Sequence, residues 1–147
     1  MNRYAPIGGA IIAGWCLFVA VQQAVFMLGW IALVPLLIPL FGKQSTLTPF
    51  RAGLISGAAF SCMAFAWMIT GIPAFTGLSI GYGVVIFLVC VFLFSLAFAA
   101  ILWIAFRIPH PLFIAAVWTL AEVVLQGAAG SLPWFLFHTG NALSANL

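Results

Sequence analysis

One acidic side chain stands in the whole sequence, Glu122, and it sits inside an apolar run of helix length, residues 113–134. A carboxylate near the centre of a membrane-spanning helix costs at least about 2.5–3.5 kcal/mol on insertion scales, so a partner, a water-filled cavity or a role in function must offset it. Glu122 is about ten residues into the run, roughly 15 Å at the helical rise, which places it near mid-membrane. Gln126 follows one turn later on the same face, at the spacing that permits a hydrogen bond between side chains. The histidines are remote from it. His110 is about 18 Å away along the helix axis, and His138 lies beyond Pro133 and Trp134, which close the run. Two readings of Glu122 stay open: a structural carboxyl that pins helix packing, and a direct part in substrate handling. Gln126, Trp134 and His138 are its companions as candidate polar or lipid-handling residues. For His138 and Thr139 the simplest role is that of polar residues at an interface, with a substrate headgroup as the alternative.

Little else in the chain offers chemistry. No Ser/His/Asp set, carboxylate pair or glycine-rich phosphate loop can be assembled, so no catalytic residue is assigned. Self-contained acid/base catalysis is improbable with a single acid. The three cysteines, Cys16, Cys62 and Cys90, fall in separate apolar runs without a CxxC pair and read as small buried hydrophobes. No His or Cys neighbours them at ligand spacing, so no metal or other cofactor is expected. Cys16 also fails as a lipid-anchor cysteine, because the bulky Trp15 precedes it.

These residues must be positioned by membrane elements. Hydrophobic residues make up 67% of the chain and charged ones 3%, with a mean hydropathy of +1.33. A soluble core of this size needs no such excess, so the composition predicts an integral membrane protein. The net charge of +3 comes from Arg3, Lys43, Arg51 and Arg107 against Glu122. Cations so scattered exclude a nucleic-acid-binding face, which needs a clustered basic patch.

Along the chain, the spans are expected at about 7–21, 25–41, 52–72, 84–106 and 112–131, an all-α polytopic bundle of about five transmembrane helices. Gln22 and Gln23 mark a tight hairpin between the first two, and Pro35 and Pro39 predict a kinked or unwound second helix. Residues 42–50 form the most polar segment, a loop closed by Thr48 and Pro49. The third span carries Gly53, Gly57 and Ser61 at every fourth position, a stripe of small residues suited to close helix packing. Residues 71–82 are rich in turn formers and read as a short loop. The fourth span, rich in phenylalanine, reads as a lipid-facing or packing helix, and Pro109 and Pro111 forbid its continuation. With five spans, the N-terminus, the 42–51 loop and the 107–111 loop share one side and hold all four cations. The positive-inside rule then places the N-terminus in the cytoplasm.

The stretch WTLAEVVLQGAAGSLPWFLFHT, residues 118–139, resembles a segment of the apolipoprotein N-acyltransferase family that reads W-x3-E, a short gap, Pro-Trp, and a G-[YH]-[ST]-Q type motif. Trp118, Glu122, Pro133 and Trp134 fall at the matching places. GWIALVPLL, residues 29–37, resembles the second transmembrane segment of that family, and residues 60–67 with the following loop resemble its third. The chain departs from the pattern at Leu125 and Gln126, where the family often has an arginine, at Leu132 before Pro-Trp, and at residues 22–24, where Gln-Gln-Ala replaces a Pro-Pro-Phe type turn.

The resemblance covers the N-terminal membrane portion of the family. It implies a multi-pass protein of the bacterial inner membrane that works in lipoprotein biosynthesis, where a transferase moves an acyl chain from membrane phospholipid to an apolipoprotein. The Cys, Glu and Lys of that reaction belong to a nitrilase-like domain expected to lie outside residues 1–147, and none of Cys16, Cys62 or Cys90 matches its nucleophile. The chain is thus expected to anchor a catalytic domain and admit lipid, meeting the apolipoprotein only through that domain. The competing expectation is a small non-enzymatic membrane protein, a transporter subunit or assembly factor, that uses Glu122 in ion or proton coupling.

Overall fold

The structure is a computed structural model that describes residues 5–22, 31–41 and 47–129. Among them the chain forms six helices and no strand: α1 (Ala5–Gln22), α2 (Val34–Phe41), α3 (Pro49–Ala64), α4 (Met68–Thr76), α5 (Ile80–Ala105) and α6 (Pro111–Ala129). The described residues are all-α. The hairpin expected at Gln22 and Gln23 lies largely outside the described residues.

Local chemistry sets several helix ends. Thr48 is extended, its Oγ1 accepts from the Arg51 backbone N–H at 3.3 Å, and Pro49 opens α3. A threonine cap satisfies a first-turn donor that has no intrahelical partner, and proline at the first helical position lacks that donor anyway. At the start of α6, Pro111 plays the same part and the His110 carbonyl accepts from Ile114 N–H at 3.0 Å. A turn at residues 32–33 precedes α2, where Leu33 O accepts from both Leu36 and Leu37, so Pro35 falls in a first turn and breaks no hydrogen bond.

The core is built around α3. This helix packs most extensively on α5 and next on α1, while α4 lies against α5 and α2 against α1. A Cβ placed on Gly53 would stand 2.5 Å from Ala99 Cα and 2.6 Å from Phe98 O, and one on Gly57 2.8 Å from Ser95 Cα. The backbones of α3 and α5 therefore touch, which only a stripe without side chains permits. On its other side α3 meets Gly14 of α1, where a Cβ would collide with Ser56 O and the Ala59 side chain. Ser56 and Ser95 return their hydroxyls to Gly53 O (3.3 Å) and Val91 O (2.6 Å), which settles their polarity inside the helix. The Ser61 hydroxyl is fully buried and has no hydrogen-bond partner among the described residues.

Two expectations require correction. The third apolar stretch is no single helix: α3 and α4 meet at 44° around residues 65–67. Phe65 there is fully buried, its ring edge-on to Phe94 at 4.8 Å, and Met68 is buried too. The loop read over 71–82 is also mostly helical, since α4 runs to Thr76 and α5 starts at Ile80. Gly77, at φ +72°, ends α4 and donates its N–H to Pro73 O at 2.9 Å. Pro73 deprives Ile69 O of its intrahelical donor, and Gly83 of α5 comes in against that carbonyl, where a Cβ would lie 2.6 Å away. Glycine and proline thus serve here to bring α4 and α5 together. A third, smaller difference is Cys62, which is exposed rather than buried.

Among the described helices, α5 alone, with 26 residues, is long and apolar enough to cross a membrane. The bent α3–α4 pair adds a second span if it counts as one broken crossing, and residues Pro6–Val21 and Pro111–Val124 form shorter apolar helices.

Candidate functional site

Glu122 lies on α6, one turn beyond Trp118, and both side chains are half-buried. The indole Nε1–H of Trp118 donates to Glu122 Oε1 at 2.7 Å. That pairing follows from helix geometry, because residues four apart share a face, and from chemistry, because indole is a donor only and a carboxylate is the strongest acceptor in the chain. The Trp118 ring stands perpendicular to Phe98 at 5.6 Å between centroids, and Phe98 stacks on Phe60 at 5.5 Å. Phe60 and Phe98 belong to one buried cluster with Leu17, Ala32, Ala64, Phe65 and Met68. The single carboxylate of the protein is thereby tied through Trp118 to the centre of the bundle.

The sequence offered Gln126 as one possible hydrogen-bond partner of Glu122. It passed over Trp118 at the equivalent spacing on the N-terminal side. The legible signal was the donor-only indole, which seeks an acceptor whenever it leaves water. Gln126 lies in α6, but its side chain is outside the described residues. So are Pro133, Trp134 and His138. His110 is exposed in the turn between α5 and α6.

Among the described residues no assembled nucleophile accompanies the acid. Cys16 and Cys90 border the same buried cluster as Trp118 and act there as packing, and Cys62 faces outward. The arrangement can hold α6 in register and present a polar point in an apolar wall. Among the described residues it brings Trp118 and Glu122 together, while Gly53 and Gly57 serve the α3–α5 contact.

Comparison with known proteins fits this outline. No curated protein and no solved structure matches the chain. The family model described as the apolipoprotein N-acyltransferase N-terminal domain matches residues 5–146, nearly the full sequence. A helical bundle carrying a Trp-x3-Glu pair is thus covered almost end to end by one family description, and the chain belongs to the apolipoprotein N-acyltransferase N-terminal domain family.

Proposed function

We propose that this chain is the membrane-embedded part of an apolipoprotein N-acyltransferase, which holds the catalytic part of that enzyme at the bilayer and admits lipid acyl chains to it. Acyl transfer in lipoprotein biosynthesis follows from the family. The observation that carries the membrane role is the side-chain order on α5. Its buried positions are Gly83, Ser95, Phe98, Ala99, Leu102 and Ala105, whereas Val85, Leu88, Val89, Phe92, Leu93 and Leu96 are exposed. A helix that packs on one side and presents so many large apolar residues outward suits a hydrocarbon surround. Glu122 acts as a clasp on the Trp118 ring of its own helix, and that ring keeps α6 against Phe98 of the bundle while the wall between helices stays apolar. Gln126, Trp134 and His138 are assigned to the polar margin where a lipid headgroup is met. Catalysis is assigned to a nitrilase-like domain outside residues 1–147. Family membership and the Glu122–Trp118 bond weigh against a separate ion-coupling protein.

The reading requires about five crossings in the bacterial inner membrane with the N-terminus in the cytoplasm, as the positive-inside rule dictates. Reporter fusions at Lys43 and His110 should be cytoplasmic, and fusions at Phe75 and Asn141 should be outside. Finding residues 43 and 75 on one side of the membrane would remove the five-span arrangement.

A further inference from the structure

We propose that the end of the bundle carrying Arg51 and Arg107 is a docking surface for the anionic headgroups of bilayer phospholipid. The two arginines are far apart in sequence, and the fold brings them to one end. Arg51 lies in the first turn of α3 beside Ala52, and Arg107 follows α5 beside Phe106. Ala52 and Leu102 share a buried cluster with Ala10, Ala13 and Leu36, and Phe106 packs against it. Both arginines are exposed.

Their surroundings select the partner. The Arg107 guanidinium carbon stands 4.1 Å from the centroid of the Trp103 ring, a contact that restrains the cation at the rim of the bundle. Trp103, Ile104 and Ile108 are exposed around it, and Phe50 is exposed beside Arg51. Each cation therefore emerges at the border of an outward apolar surface. That combination fits a charged headgroup joined to acyl chains, whereas a free phosphate has no use for the apolar border. The sole acidic side chain, Glu122, lies about 17 Å along α6 from Pro111, the residue that opens the helix. The inference rests on the bilayer reading above and adds a lipid preference to it.

The test uses the 147-residue chain in phosphatidylcholine vesicles carrying trace spin-labelled phosphatidylglycerol or spin-labelled phosphatidylcholine, with the relative association of the two labels as the readout. The parent should prefer phosphatidylglycerol, and each of Arg51→Gln and Arg107→Gln should reduce that preference by roughly five-fold or less. Arg51→Lys with Arg107→Lys should retain it, which separates loss of charge from loss of fold, and added salt should weaken it. Equal association of both labels with the inserted parent would overturn the proposal, as would an undiminished preference in the double Gln variant. Displacement of the label by inorganic phosphate at constant ionic strength would overturn the choice of a lipid. A chain that does not enter the vesicles at all would remove the bilayer reading itself, an outcome distinct from insertion without preference.

Discussion

The α3–α5 contact and the attachment of α6 hold their helices by opposite means. Between α3 and α5 the hold is close packing without a polar bond: Gly53 and Gly57 admit the neighbouring backbone, Phe60 stacks on Phe98, and Ser56 and Ser95 return their hydroxyls to their own helices. By contrast, α6 has a smaller contact with α5 and meets it through an aromatic edge, Trp118 on Phe98, with Trp118 hydrogen-bonded to Glu122 on its own helix. In an apolar surround the hydrophobic effect cannot drive helices together, so packing and hydrogen bonds carry association. The first device is intolerant of volume and indifferent to polarity. The second turns on the placing of one ring, Trp118, which an acceptor on its own helix holds.

The sharpest way to break this contrast is to add volume at the first contact. Gly53→Leu should cost more than the roughly 1–3 kcal/mol of ordinary overpacking, because the obstacle is the Ala99 and Phe98 backbone rather than a yielding side chain. Thermal unfolding in one detergent should show the variant as the least stable of those named here. A Gly53→Leu protein as stable as the parent would mean that α3 and α5 do not approach as described.

Next in size is the Glu122 series, which probes polarity at fixed position. Glu122→Gln preserves an acceptor for the Trp118 indole and should unfold close to the parent. Glu122→Leu leaves that donor unmet and should lose on the order of 1–3 kcal/mol. Glu122→Lys should be worst of the three, since it adds a donor opposite a donor together with a charge in an apolar setting. If Gln destabilises as much as Lys, the carboxylate is required as a charge and the clasp account fails.

The smallest expected effect sharpens the comparison from its uneventful side. A Cβ at Gly127 of α6 meets nothing within 4 Å among the described residues, so Gly127→Ala should be neutral or stabilise by up to about 1 kcal/mol through helix propensity. The same change at Gly57, whose Cβ would press on Ser95 and Phe98, should destabilise. Melting temperatures that move in the same direction for both variants would show that glycine acts here through propensity and not through contact.

What the sequence determined by itself was local in origin. Apolar composition, the proline and threonine boundaries of α3 and α6, and the four-residue spacing of Gly53 and Gly57 were all legible, because each depends on a residue's own backbone limits or on helical periodicity. The Trp118–Glu122 spacing was visible as well, but two residues stood one turn from the acid on either side, and spacing alone does not rank them. Only the tertiary structure decided the rest. It bent the third apolar stretch around Phe65–Ala66–Trp67, which contains no glycine or proline, where Phe65 and Met68 enter the core. It turned the glycines and proline of residues 71–83 from loop formers into the seam between α4 and α5, with Gly83 against the Ile69 carbonyl that Pro73 leaves without a donor. It also chose the neighbour of the Gly53–Gly57 stripe. These outcomes depend on atoms distant along the chain, and a pattern of small or turn-forming residues states that a close approach is possible without naming the helix that makes it.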